Sequence, residues 1–379
     1  MQIDSEFELF RDNFRRFLNE YVAPYYEQWE EQGLIPREIW NKLGENGFLC
    51  VDVPEQYGGY GAPVHYSLML VQETAQAGFT SLAVAIGGQS ELVSPYIQNI
   101  GSEQQKNFWL PKMVTGEVVS AIAMTEANAG SDLQAIRTQA ILHNQYYLVD
   151  GSKTFISNGH HADLIVLVAK TDPQARAKGI SILLVDAQLE GVKKGRCLKK
   201  IGLHAQDTAE LFFDQVHVPS NQLLGEAGKG FSYLMQELPR ERLSISMMAL
   251  GSILGAIELT KTYVQERKAF GQALSQFQNT RFVLAQAQIK AKAAQAFVQQ
   301  CADLYSQEQL TVSEVAALKC FITDTQCEIM DQLLQLFGGY GYMQEYPISR
   351  FFVDARVQKI YGGTNEIMKE IVARELLGK

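Results

Sequence analysis

The sequence is short of the residues that build disulfide frameworks and metal centres. Among 379 residues there are five cysteines and six histidines. Cys50, Cys197, Cys301, Cys320 and Cys327 are scattered, with no CxxC pair and no matching histidine cluster, so free thiols are expected rather than zinc or disulfides. His160-His161 is the one histidine pair. With no acidic or cysteine ligand at metal spacing nearby it reads as part of a loop, and no metal is expected. Basic runs and basic–aromatic stripes are also missing, and the net charge is −9, which argues against a nucleic-acid partner. The uncharged stretch Leu243–Ile257 is too short for a membrane span and suits a helix buried among helices. The opening MQIDSEFELFRDNFRRFLNEYV has mixed charges and no apolar core, so it reads as an amphipathic helix and not a secretory signal. Its acidic residues are unlike a mitochondrial presequence. The expected location is the cytoplasm of a bacterium, or the mitochondrial matrix for a trimmed chain.

What is present is the composition of a soluble globular protein, 46% apolar and 20% charged, long enough for two or three domains. Residues 1–120 read as helices broken by turns: Phe7, Phe10, Phe14, Phe17 and Leu18 recur every three or four residues, and VPEQYGGYGAP is a glycine–proline turn cluster. Near residue 120 the period changes. Short segments rich in Val, Ile, Leu, Phe and Tyr follow until about 225, and Asp150-Gly151 between YYLV and KTFIS is a hairpin signal. No helix of useful length separates these segments, which excludes a doubly wound sheet and favours an antiparallel β unit, a small barrel or sandwich. From 226 to 379 long helices return, expected over 239–268, 275–305, 312–336 and 364–377 with short joints, as in a four-helix bundle. The fold class is therefore α+β with three domains, 1–120, 121–225 and 226–379.

Pro239 reads as the start of a helix, because a first turn does not need its missing N–H. That puts Glu241 in the first turn, where the helix dipole favours a carboxylate by roughly 0.3–1 kcal/mol. On position alone, Glu241 is a charge matched to a helix end. GEAGKGF and GGYGYM lack phosphate-loop spacing and read, in isolation, as turns. MTEANAGSD (Met124–Asp132) runs from a strand into a loop of small residues, where N–H groups and the Thr125 and Ser131 hydroxyls can approach a flat or anionic ligand. GSKTFISNG (Gly151–Gly159) places Phe155 and Ser157 two residues apart, which strand alternation puts on one face. An aromatic ring with hydroxyls suits an isoalloxazine. The segment alone reads equally well as a core phenylalanine and an exposed serine.

MTEANAGSD, GSKTFISNGHHAD, GLHAQDTAELFFDQVHVP, GKGF, ERKAFG followed by FQ, and QLFGGYGYMQEYPISRFFVDARVQKIYGGTNEI occur in an order and spacing that resembles the acyl-CoA dehydrogenase family, closest to its long-chain members. The resemblance covers nearly the whole chain and is strongest after residue 100. It implies a homotetramer of α–β–α subunits that binds FAD, takes an acyl-CoA substrate and passes electrons to electron-transferring flavoprotein. It implies FAD contacts at Thr125, Ser131, Phe155 and Ser157, with phenylalanine where many members have tryptophan. Arg267, Phe270, Gln278, Gln335, Gly338 and Gly339 match positions that serve the FAD of a neighbouring subunit, and Thr364 and Glu366 follow the usual catalytic position. Ser131, Arg242 and Gly362 fall at substrate-binding positions.

The usual catalytic position departs from the pattern. Most members read Tyr-Glu-Gly-Thr, the glutamate being the base, whereas this sequence reads Tyr361-Gly362-Gly363-Thr364. In long-chain and isovaleryl members the base is a glutamate directly before the arginine of the first long helix, and Glu241 in PRERL stands there. The resemblance thus implies that Glu241 removes the α-proton while flavin N5 takes the β-hydride. The thioester oxygen would be polarised by the ribitol 2′-hydroxyl and the Gly362 N–H. A glutamate introduced at Gly362 is expected to restore part of the activity of a chain lacking Glu241. Three other readings remain open at this point: the same chemistry on an acyl-carrier-protein thioester, an acyl-CoA oxidase, and a non-catalytic acyl-CoA or FAD binder.

Overall fold

The computed structural model describes residues 5–378; residues 1–4 and 379, which fall in the first and last expected domains, lie outside them. In α1 (Ser5–Phe17) the three- and four-residue spacing turns Phe7, Phe14 and Phe17 inward, and Phe14 and Phe17 meet Phe48 edge-on at 4.9 and 5.4 Å between ring centres. Six more helices complete this part: α2 (Tyr26–Gln32), α3 (Arg37–Glu45), α4 (Val64–Gln76), α5 (Thr80–Gly87), α6 (Ser94–Ile100) and α7 (Glu103–Val114). Between α5 and α6 the chain passes through a wider π-helical turn, Gly88–Val93, which carries Glu91 into the interior.

Eight strands follow: β1 (Ser120–Ala123), β2 (Gln139–His143), β3 (Tyr146–Ile156), β4 (Leu164–Lys170), β5 (Ile180–Asp186), β6 (Val192–Cys197), β7 (Ala209–Pro219) and β8 (Leu223–Leu224). Hydrogen bonding orders them β6-β7-β3-β2-β4-β5-β8, with β1 also on β4. The sheet is mixed and not wholly antiparallel as the sequence suggested, since β1 and β2 each meet β4 in parallel. No ladder joins β6 to β8 among the described residues. The hairpin expected at Asp150-Gly151 is elsewhere. β3 runs straight through that dipeptide, and the turn between β2 and β3 is at Asn144, whose φ is +51°. Asp150-Gly151 instead marks a register shift against β7, with the Asp150 carboxylate accepting from the Gln215 N–H at 3.0 Å. Only glycine fits at 151, because a Cβ there would lie 2.5 Å from Thr138 Oγ1.

α8 (Gly230–Glu266) begins nine residues before Pro239, so the proline lies within the helix and does not start it. Its ring leaves one carbonyl in the previous turn without its helical donor. By length and composition α8 could cross a membrane, yet 78% of its most apolar window is buried inside the protein. After a two-strand hairpin, β9 (Lys268–Ala269) and β10 (Gln272–Ala273), come α9 (Gln278–Ser306), α10 (Val312–Gln335), α11 (Pro347–Ala355) and α12 (Asn365–Leu376). The sequence reading had no counterpart of α11. Ala287, Ala291 and Ala294 of α9 share a core with Leu243, Leu250 and Ile253 of α8 and Leu318 and Ile322 of α10. α4 also packs along α8, so the long helix is shared by two layers and carries its charged Arg240-Glu241-Arg242 segment into their junction.

Candidate active site

Successive helical residues point about 100° apart, so Arg240, Glu241 and Arg242 face three different neighbours. Arg240 is buried and paired with Asp52 at 2.7 Å and Glu91 at 3.0 Å. Arg242 Nε donates to the Gly362 carbonyl at 3.3 Å. Glu241, between them, forms no ion pair among the described residues. Its Oε2 is sealed from solvent with no hydrogen-bond partner. The dipole reading of Glu241 fails, because the residue sits eleven positions past the start of α8. Burial pushes its carboxyl up to about 7, against the pull of the Arg242 and Lys319 charges.

Gly362 closes one side of this carboxyl. A Cβ on it would lie 3.5 Å from Glu241 Oε1 and 2.4 Å from Ile245 Cδ1, and its φ of +65° is one that a side chain disfavours. The Gly362 and Gly363 N–H groups donate to nothing among the described residues. Thr364 is engaged as the N-cap of α12, accepting from the Ile367 N–H at 3.4 Å. Glu366 is exposed in the first turn of α12, its carboxyl held below the usual range by the backbone N–H groups there.

The raised carboxyl makes a stability prediction. Between its ordinary value of 4.5 and about 7, the folded chain keeps a proton that the unfolded chain has released. Stability therefore falls as pH rises through that window, and the whole penalty is present above it. Glu241→Gln removes the penalty, so its unfolding midpoint is expected to exceed that of the wild type at pH 8 and to approach it at pH 5. A gap that does not widen with pH contradicts an unpaired carboxyl with one oxygen sealed from solvent.

Thr125 and the strand carrying Phe155 are joined directly, the Thr154 N–H donating to the Thr125 carbonyl at 2.9 Å. Phe155 has φ +59° at a second register shift between β3 and β7, and 66% of it is exposed. Strand alternation therefore does not set its direction, as the sequence reading assumed. A bulge aims the ring outward, and Ser157 lies past the strand end, half-buried. Ser131 is exposed in the following loop. Asn158, the neighbour of Ser157, and Ser244, one turn past Glu241, approach a common element: a Cβ on Gly88 would lie 3.2 Å from the amide of Asn158, and one on Gly87 would lie 3.5 Å from Ser244 Oγ.

The third group lies elsewhere. The end of α8 is 25 residues beyond Glu241, roughly 38 Å at 1.5 Å per residue. There Arg267 stands over the Tyr340 ring at 5.3 Å, and Phe270 is 96% exposed in the hairpin. Gln278 opens α9 and Gln335 closes α10, both exposed. A Cβ on Gly338 or Gly339 would meet no atom within 4 Å. One subunit does not bring this group to Glu241.

Sequence reading missed three charged positions. Lys153, inward on β3, binds Glu126 at 2.8 Å and the Met124 carbonyl at 2.9 Å, which ties the Thr125 loop to the sheet. Strand alternation could have found it, as a lysine on the apolar face needs an acidic partner. The Arg240 ion pairs and Lys319 left no pattern, since their partners are remote in sequence. His161 Nε2 meets the Ile35 carbonyl at 2.7 Å, and no cluster of metal-ligand type occurs among the described residues. A cavity of about 900 Å³ beside α1, lined by Phe10, Phe17, Tyr21, Phe48 and Tyr66, contains none of the expected site residues.

Known proteins share this fold. Family models for the N-terminal, middle and C-terminal domains of acyl-CoA dehydrogenase match residues 4–117, 121–216 and 228–377. The mitochondrial long-chain specific acyl-CoA dehydrogenase of Sus scrofa is 44% identical over 375 residues, 98% of this chain and 87% of that one. The crystal structure of an acyl-CoA dehydrogenase from Geobacillus kaustophilus is 47% identical, covers 99% of both chains and superposes with a TM-score of 0.97. A glutaryl-CoA dehydrogenase from Mycobacterium smegmatis, solved in complex with FADH2, is 26% identical over 99% of this chain and 95% of its own, with a TM-score of 0.93. Matched by all three domain models and along almost its whole length by these relatives, the chain belongs to the acyl-CoA dehydrogenase family of FAD-dependent oxidoreductases.

Proposed function

We propose that this protein oxidises a saturated acyl-CoA between Cα and Cβ to the trans-2-enoyl-CoA, with Glu241 removing the α-proton. The observation that carries the reading is the sealed, partnerless Oε2 of Glu241 beside a position with no side chain, Gly362. The residues present fit the flavin. Phe155 is aimed outward by a bulge, Ser157 and Thr125 are half-buried nearby, and Gly338 and Gly339 leave open space on an exposed turn. Thr125, Ser131, Phe155, Ser157, Thr364 and Glu366 would hold it in one subunit. Arg267, Phe270, Gln278, Gln335, Gly338 and Gly339 would serve the flavin of a neighbouring copy. Bound FAD supplies the acceptor, at N5, for the β-hydride.

The chain's own part is proton transfer and charge stabilisation. Breaking the α C–H bond gives the proton to Glu241 and builds negative charge on the thioester oxygen. The Gly362 N–H, unengaged among the described residues, would donate to that oxygen, so losing the side chain at 362 does not lose the donor. Water leaving as the substrate, held by Ser131, Arg242 and Gly362, enters raises the proton affinity of Glu241 further. The exposed Phe270, Phe282, Ile289 and Tyr342 give the helical bundle an apolar surface that a homotetramer would cover. We read the chain as three domains, 1–120, 121–225 and 226–379. We assign it to fatty-acid oxidation, with electron-transferring flavoprotein as acceptor, in a bacterial cytoplasm or a mitochondrial matrix.

Anaerobic mixing of the holoenzyme with saturated acyl-CoAs of graded length and branching tests the reading. Rapid flavin bleaching by at least one of them is expected. Bleaching only by matched acyl-carrier-protein thioesters, or stoichiometric peroxide in air, contradicts it.

A further inference from the structure

Lys319, on α10, is fully buried and makes no ion pair among the described residues. Its Nζ donates to the Gly363 carbonyl at 2.7 Å and to Asn365 Oδ1 at 3.0 Å. Asn365 is itself fixed, its amide donating to Thr323 Oγ1 and Asp324 Oδ1, each at 3.0 Å. From the other side Arg242 Nε donates to the Gly362 carbonyl. Two cations on two different helices thus clamp two successive carbonyls of the turn that lies against Glu241. We propose that Lys319 is a positioning residue for the reaction: its buried ammonium holds the Gly362–Gly363 turn in place and sets the electrostatic field at Glu241.

Neutral donors could make both of its hydrogen bonds without the cost of burying a charge. What the charge adds is an attraction for a nearby carboxylate. Glu241 is such a carboxylate: Lys319 lowers its proton affinity, and neither residue forms an ion pair among the described residues. The other ionisable groups around Glu241 are Arg242 on its own helix, Tyr96 on α6 and Tyr361 in the turn. Around Lys319 they are Arg242, Cys320 and Asp324. The tyrosine hydroxyls are pushed far above their usual range by burial and stay neutral. Arg240, one residue away, is neutralised by Asp52 and Glu91. Burial lowers Lys319 to about 8, so it carries its charge at neutral pH.

This assignment rests on Glu241 being the base, so the test measures both. In Lys319→Met holoenzyme the limiting rate of flavin reduction by an acyl-CoA should fall at least ten-fold at neutral pH. The rising limb of its pH profile should move upward by about one unit, since a nearby positive charge has gone. KM should change little. Lys319→Arg should keep the wild-type midpoint even where its rate is lower, which a purely structural role would not require. If the methionine variant does not fold, Lys319→Gln, which retains a donor, reads the same shift. A wild-type midpoint in either folded neutral variant overturns the proposal. If Glu241→Gln reduces flavin normally, the base assignment falls and takes this one with it. If that variant is inactive and the Lys319 midpoint does not move, only the role of Lys319 falls.

Discussion

Glu241→Gln should leave the fold and bound FAD intact and slow flavin bleaching by a saturated acyl-CoA by roughly 10²- to 10⁴-fold, the usual worth of a positioned base. Glutamine matches the shape of the carboxylate and relieves the burial of a charge, so a stability defect is not a competing explanation. Absorbance after anaerobic mixing gives the rate, and the flavin spectrum reports cofactor content. A base on any other residue would leave the rate near that of the wild type. Among the described residues around Gly362, the neighbouring charges are Arg242 and Lys319, both already engaged with the turn's carbonyls.

Moving the base to the turn should fail on its own. The sequence alone suggests that glutamate at Gly362 would restore part of the lost activity, but the geometry there is hostile. The backbone has φ +65°, and the first side-chain carbon would lie 2.4 Å from Ile245 Cδ1. The tip of Ile245 must give way, and a side chain at that φ strains the turn at a cost of order 1–3 kcal/mol. Glu241→Gln/Gly362→Glu should therefore remain within about ten-fold of Glu241→Gln alone. Adding Ile245→Ala clears the contact but not the φ, so it should raise bleaching over the double variant by less than about ten-fold. Full rescue by the double variant would show that the turn is softer than its contacts suggest. No gain in the triple variant would leave the φ of residue 362 as the barrier.

Periodic features were legible from the sequence and single-residue ones were not. The helical spacing of apolar residues located α9, α10, α12 and the end of α8 to within a few positions, because a buried helical face is written into spacing, but it put the start of α8 nine residues late. Pro239 misled, because α8 packs on both sides and can tolerate a missing donor that an isolated helix end would not face. Asp150-Gly151 misled for a different reason. Its glycine is there for the close approach of Thr138, and the turn chemistry fell to Asn144. Phe155 was singled out, but its direction depends on a bulge that alternation does not encode. Glu241 became visible only through the change at Gly362, 121 residues away. Lys319 and Arg240 stayed hidden because a buried cation is explained by its partners, and those lie in other segments of the chain.

Proton removal can be observed apart from hydride transfer. An acyl-CoA analogue with sulfur in place of Cβ can lose its α-proton but has no β-hydride to give. Incubated with the holoenzyme in D₂O and followed by mass spectrometry, it should take up deuterium at Cα with the wild type. It should take up almost none with Glu241→Gln, at equal occupancy of the analogue. Equal uptake by the two proteins would mean that some other group takes the proton, and Glu241 would then be only a half-buried acid beside a glycine turn.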